Sequence, residues 1–518
     1  VITTDRVVIV GAGLAGLHAA LSLAPRPVLV ISPETLGEGA SSAWAQGGIA
    51  AAMAAHDSPA DHARDTVAAG AGLVDAAIAA MVTQAAPDHI QHLAGQGTPF
   101  DRNAAGEFVL NMEAAHSTAR VVRVKGDQAG RMIMATLIAA IHATPSVQVL
   151  EGCVAQGLIV DQGRAVGLHL ARAGSVSVPV YAPAVILAGG GSGGLYALTT
   201  NPPRIRGQVA GMAARAGAIM ADMEFVQFHP TAMDIGIDPA PLATEALRGA
   251  GATLINRDYV RFLQGVHPLA ELAPRDIVAR AVFAQTQAGL RPMLDTRAAV
   301  GADLPTHYPA VADACARAGL DPLRDPIPVA AAAHYHMGGI ATDAQGRTSL
   351  AGLWACGEAA STGLHGGNRL ASNGVLEALV MAQAVAADVG RAVALTNAAP
   401  VALPDLAPAP AANAQDVADL RATMTEYVGV RRTKGGLDTA LARIAVLDTT
   451  HPDMANMRAT ATLIATAALL RTESRGAHWR DDFPATDPAQ ATRRFLTLTQ
   501  AETLRAHPTQ VPHDPALA

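Results

Sequence analysis

Residues 7–16, VVIVGAGLAG, decide the fold. Val7 to Val10 form a β-branched run that reads as a short strand, and Gly11, Gly13 and Gly16 follow it at the spacing GxGxxG. Helix-like LAGLHAALSLA comes next, then a second apolar run from Val28 to Ile31, so the unit is β-α-β. Glycines at this spacing let a strand turn tightly into a helix whose N-terminal amides hold a pyrophosphate. The segment is therefore expected to bind a dinucleotide rather than merely to turn. The acidic residue that should take the ribose hydroxyls about 20 residues later falls in the corner Ser32, Pro33, Glu34. Glu34 serves there, or it is a solvated loop carboxylate.

Working outward, GEGASSAWAQGGIAA (37–51) carries small residues and two adjacent glycines, which bring backbone close to a large flat ligand that a nicotinamide domain does not need. Apolar strands recur before the turns VILAGGG (185–191) and GLWACGE (352–358), so the dinucleotide domain is predicted to be discontinuous. The segment between them, rich in His, Arg, Thr and Pro, reads as an inserted substrate-side cap. The expected architecture is α/β: a Rossmann-like domain over 1–222 and 336–400, an α+β cap over 223–335, a Pro/Ala linker over 401–415, and a helical domain over 416–518. No internal repeat is present.

The 518 residues allow several cores, and 50% apolar with 16% charged residues excludes extended disorder. A net charge of −7 without a basic cluster argues against nucleic acid. Three scattered cysteines, Cys153, Cys315 and Cys356, argue against a disulfide framework or a metal site, and suit a reducing cytoplasm. No apolar stretch reaches membrane-spanning length and no basic n-region precedes the first strand, so the protein is expected to be neither exported nor anchored.

In order along nearly the whole chain, SSAWAQGGIAA, EFVQFHPTA, TEALRGAGA, ELAPRDIVAR, AAHYHMGGI and LHGGNRLASN resemble the fumarate reductase, succinate dehydrogenase and L-aspartate oxidase flavoprotein family. YVGVRRTKGGLDTAL and ESRGAHWRDDFP are similar to the L-aspartate oxidase branch. The resemblance implies FAD in contact with Ala12, Gly13 and Leu14, with Ser41, Ser42, Ala43, Trp44, Ala45, Gln46, Gly47 and Gly48, with Cys153 and Val154, and with Glu358. Ser32, Glu34, Ala188, Gly189, Gly190 and Gln208 complete the nucleotide side. The helix starting near Ser372, with Asn373, Gly374 and Val375, points its positive end at the flavin pyrimidine edge. Three positions depart from the family pattern: Gln208 for an aspartate, Gly374 for a serine, and Pro33 for a basic residue. Ser41 stands where respiratory members have the flavin-linking histidine, so FAD is expected to be bound non-covalently.

The family's substrate positions fall on His229, Thr244, Glu245, Arg275, His334 and Arg369. By this resemblance Arg369 and His334 clamp one carboxylate of a dicarboxylate and His229 and Thr244 the other, in keeping with the fit of guanidinium forks to carboxylates. Arg275 is the family's proton-transfer residue, although a guanidinium is a poor base and stabilises developing charge more readily. Singly, each has a bland reading: a solvated arginine, a core histidine, a helix start at Thr244 and Glu245. Glu113 in NMEAAHS matches the acidic position of the L-aspartate oxidase branch and is expected to orient a substrate ammonium, the alternative being a loop carboxylate paired with His116 or Arg120. The implied reaction is oxidation of L-aspartate to iminoaspartate, with reoxidation by oxygen or fumarate and hand-over of the imine to quinolinate synthase in NAD biosynthesis. A soluble fumarate reductase is the runner-up, and a flavin-binding protein without catalysis the third reading.

Overall fold

The computed structural model describes residues 1–506; residues 507–518 of the expected C-terminal domain lie outside the described residues. The strands used here are β1 (Val7–Val10), β2 (Val28–Ile31), β3 (Val147–Leu150), β4 (Val185–Leu187), β5 (Val226–Met233), β6 (Thr253–Ile255), β7 (Met293–Asp295), β8 (Ile327–His336) and β9 (Leu353–Ala355); the strands Cys153–Asp161, Arg164–Arg172 and Val178–Tyr181 belong to a separate four-stranded sheet. The helices used here are α1 (Leu14–Leu23), α2 (Arg275–Gln287), α3 (Pro309–Arg317), α4 (Asn373–Ala392), α5 (Ala414–Tyr427), α6 (Lys434–Ala445) and α7 (Pro452–Leu470).

β1, β2, β4 and β9 consist of apolar residues buried on both faces, the pattern a parallel sheet demands. They assemble with β3 into a five-stranded sheet of order β9-β4-β1-β2-β3, every neighbouring pair parallel. Strands separated by some 350 residues thus share one sheet, which is what a discontinuous domain means in the molecule. α1 connects β1 to β2 and packs on α4.

The inserted segment forms an antiparallel sheet of order β5-β8-β7-β6, backed by α2. The β5–β8 pairing is interrupted between Gln227 and Phe228 and again between His229 and Ala232. Pro230 lies within the second interruption and has no N–H to give the ladder. Such bulges re-aim side chains, and these two flank the cap histidine.

Residues 394–413 form no helix or strand, yet they are tied down: Gln148 bonds both backbone groups of Val401, and Arg6 donates to the carbonyls of Ala398 and Ala399. α5, α6 and α7 follow. α7 is buried along nearly its whole length, its polar Asn456, Thr460, Thr462 and Thr466 included. It crosses the helix Gln208–Arg215 at Gly211, where a Cβ would sit 1.9 Å from the Asn456 carbonyl oxygen. The chain then returns to pair Phe495–Leu496 with Met220–Ala221. The C-terminal segment also reaches the cap: Arg421 grips Asp238 with both terminal nitrogens at 3.0 Å. No helix among the described residues is long and apolar enough to cross a membrane.

Candidate active site

A cavity of about 640 Å³ runs from the N-terminus of α1 to His334 and Arg369. Its walls include Gly11, Ala12, Gly13, Leu14, Ser32, Glu34, the segment Ser41–Gln46, Cys153, Val154, Ala188, Gly189, Gly190, Gln208, Glu358, Gly374 and Val375. The three motif glycines do different work. A Cβ on Gly11 would lie 2.4 Å from the Ala188 carbonyl oxygen, and one on Gly16 1.9 Å from that of Gly11, so these two let the turn close. A Cβ on Gly13 would meet only Ser42 Oγ at 3.2 Å and Ala40 Cβ at 3.9 Å, which leaves that stretch of backbone open to the cavity. Ser42 Oγ accepts the Leu14 N–H at 3.0 Å, satisfying one free amide of the helix start.

At the far strand end, Glu358 lies against Gly191, whose Cβ would be 2.1 Å from the carboxylate, and accepts the His336 N–H at 2.9 Å. Burial pushes its carboxyl up to about 7, so it can give or take a hydrogen bond at a ligand hydroxyl. Gln46 Oε1 is buried without a protein partner, which is where a polar ligand atom fits. Backbone walls at a helix start, an orphaned amide oxygen and a protonatable buried carboxyl together fit a dinucleotide. Glu34 accepts from Arg204 at 2.5 Å, and Gln208 Oε1 accepts the Arg206 N–H at 3.0 Å; both side chains have protein partners while lining the cavity.

Gly16, Gly47, Gly48, Ser372 and Asn373 do not line the cavity, and of the expected substrate residues only His334 and Arg369 do, Glu113, His229, Thr244, Glu245 and Arg275 being buried outside its lining. Gly48 packs on a strand, its Cβ position 1.9 Å from the Val122 carbonyl oxygen. The Asn373 side chain is engaged by His62 at 2.8 Å and Thr66 at 2.9 Å. Ser372 Oγ donates to Glu113, so it sits with the substrate-side residues.

Those residues converge from distant elements. The β5–β8 pairing sets the His229 and His334 rings 5.0 Å apart. His229 is almost wholly buried, and burial, with the nearby Arg275 charge, keeps it well below the usual imidazole range and hence neutral. Its Nδ1 accepts the Thr231 N–H at 3.2 Å, which assigns the proton to Nε2, and Nε2 has no protein partner. A buried, unpaired N–H donor suits a carboxylate oxygen. His334, also held neutral by burial, lies 2.8 Å from the Thr200 hydroxyl and lines the cavity.

Arg275 starts α2 and bonds both Glu245, through a short Nε contact, and Gln227 Oε1 at 3.1 Å. Arg248 approaches Glu245 from the other side at 3.5 Å. Burial works to raise Glu245, but the Arg275 and Arg248 charges outweigh it and hold the carboxylate below its ordinary range. Glu113 goes the other way: burial first, then the Glu245 charge, push it up to about 7, against the pull of Arg275, Ser372 and Arg369. Arg369 stacks over the Tyr335 ring at 4.3 Å with Nε unpartnered, its guanidinium lowered to about 10 by burial and by Arg275. Thr244, buried next to Glu245, precedes the short helix Ala246–Gly249.

Four neighbours of this cluster escape a sequence reading. Gln227 and Arg248 stand inside the phrases EFVQFHPTA and TEALRGAGA, and Gln227 links Arg275 to Asn368 and to the Arg369 carbonyl. Thr200 and Asn201, which hold His334, come from LTTNPP, where nothing local marks them.

Two family models match the chain: an FAD binding domain over residues 6–375 and a fumarate reductase flavoprotein C-terminal region over 451–513. An L-aspartate oxidase of Caulobacter vibrioides is 54% identical over 508 residues, 97% of this chain and 98% of that protein. One from Agrobacterium fabrum is 46% identical over 506 residues, 96% of this chain and 95% of that protein. Among solved structures, an E. coli quinol fumarate reductase superposes with a TM-score of 0.85 at 28% identity, covering 95% of this chain and 94% of that one.

Proposed function

The chain belongs to the L-aspartate oxidase branch of the fumarate reductase and succinate dehydrogenase flavoproteins, and from that premise we propose that it oxidises L-aspartate to iminoaspartate. The observation that carries the substrate is Glu113, a buried carboxylate set among Glu245, Arg275 and Arg369 in a site otherwise furnished for carboxylates. An acid in that place attracts an ammonium, which a plain dicarboxylate does not carry.

When bound, FAD supplies the two-electron acceptor for the hydride that leaves Cα. Arg369 and His334 hold one substrate carboxylate, and His229 Nε2–H with Thr244 the other. Glu113 orients the ammonium, which gives up one proton as Cα gives up its hydride, so that aspartate becomes the protonated imine. Arg275, fixed between Glu245 and Gln227, steadies charge beside the reacting carbon.

Ser41 in place of a linking histidine supports non-covalent FAD, which acid precipitation should release completely into the supernatant. Oxygen or fumarate is the acceptor in this reading, and the water-sensitive imine passes to quinolinate synthase for NAD synthesis. Three buried, unpaired cysteines suit the cytoplasm. Residues 1–222 with 336–400 serve as the FAD-binding domain, 223–335 as the cap, 401–415 as the linker, and 416–518 as the helical domain. The test is product analysis: the purified enzyme with L-aspartate should yield ammonia and oxaloacetate, the hydrolysis products of the imine, in equal amounts with reduced acceptor. Ammonia-free turnover of succinate alone would instead support the fumarate reductase reading.

A further inference from the structure

Ser372 Oγ donates to Glu113 Oε2 at 2.8 Å, and Glu113 forms no ion pair among the described residues although Arg275 and Arg369 act on it. Carboxylates and guanidiniums in contact form strong charge-assisted pairs, and Arg275 makes its pair with Glu245 instead. Ser372 makes its contact from the N-cap of α4 with φ +61°, in the left-handed region where glycine fits and a Cβ is disfavoured. What serine adds at such a place is its hydroxyl. The loop carrying Glu113 is bolted to the same cap a second time, by His116 Nε2 and the Ala371 carbonyl at 3.0 Å. Gly47 closes over the pair: a Cβ there would lie 3.1 Å from Ser372 Oγ and 3.2 Å from Glu113 Oε1.

We infer that Ser372 is a positioning residue for Glu113: its hydroxyl ties the carboxylate to the cap of α4 and keeps it off Arg275 and Arg369, leaving the acid for the substrate ammonium and the arginines for its carboxylates. This rests on the reading of Glu113 given above. The groups that face Glu113 are Glu245, which raises its carboxyl, and Arg275, Ser372 and Arg369, which lower it, with Arg248 and Tyr308 within range of its charge.

The test is a double-mutant cycle on FAD-loaded enzyme, using Ser372→Gly, which keeps the left-handed backbone, and Glu113→Gln. The readout is kcat/KM for aspartate oxidation divided by that for fumarate reduction. Ser372→Gly should lower this ratio about tenfold, mostly through the KM for aspartate, the size of one hydrogen bond to a charged group. It should also move the acid limb of the aspartate pH profile upward by up to about one unit. In the Glu113→Gln background the same change should add less than about twofold, because the two residues act as a unit. An equal loss with both substrates, or an undiminished tenfold effect in the Glu113→Gln background, would overturn the inference while leaving the role of Glu113 intact. If Glu113→Gln alone leaves the ratio unchanged, the amine reading itself fails and takes this inference with it.

Discussion

The two ends of the candidate site, the nucleotide cavity and the buried polar cluster around its Arg369 and His334 end, are made of different material. At the nucleotide end the contact surface is backbone and small side chains, and its tolerances are steric: a single Cβ on Gly11 or Gly16 would meet a carbonyl oxygen well inside contact distance. At the substrate end Glu113, Glu245, Arg275 and Arg369 are buried together, and the tolerances are electrostatic, because removing one partner leaves another charge uncompensated. One end should therefore fail by losing its cofactor and the other by losing its substrate, each without the other.

Gly16→Ala is the harshest way to sharpen that contrast. With a carbonyl oxygen 1.9 Å from the new Cβ, the strand-to-helix turn cannot close as it does, at a cost of about 3 kcal/mol. Purified protein should retain less than about a tenth of its FAD and melt at lower temperature. Arg369→Leu should do the reverse, keeping its flavin while the KM for aspartate rises about a hundredfold, in line with the loss of a buried charged hydrogen-bonding partner. Full flavin in the first variant, or flavin loss in the second, would break the comparison.

The contrast also explains what a sequence makes readable. The nucleotide end is local: strand, glycines and helix follow one another within Val7–Leu23, and the motif states its own geometry. The overall α/β plan with an inserted cap follows from apolar runs at Val185 and Leu353 that could only join the same sheet. The substrate end depends on contacts distant in sequence, such as Arg275 with Gln227, 48 positions apart, and Ser372 with Glu113, 259 apart. Family phrases name many of the participants there, but not which of them touch. That Asn373 is engaged by His62 and Thr66, over 300 residues away, or that Thr200 steadies His334, is fixed by packing and has no local signature.

A smaller effect distinguishes the ends by pH. Burial puts the Glu113 carboxyl at about 7, above its ordinary range, so the anion that attracts an ammonium prevails above that pH and is lost below it. Aspartate kcat/KM should fall about tenfold for each unit below 7, whereas fumarate reduction, which presents no ammonium, should lack this limb. A matching limb for fumarate would assign the titration elsewhere. Smallest of all is Glu34→Ala: its pairing with Arg204 is partly exposed, and such pairs contribute about 0–1 kcal/mol. FAD affinity should weaken no more than about fivefold; a larger loss would identify Glu34 as a ribose ligand.

The central claim, that the buried acid in a dicarboxylate site selects an amino acid, is most directly tested by anaerobic titration of the oxidised holoenzyme followed at the flavin absorbance band. L-aspartate should bleach the band with one equivalent per FAD, and succinate at the same concentration should leave it in place. Bleaching by succinate but not by L-aspartate, or by neither, would contradict the account.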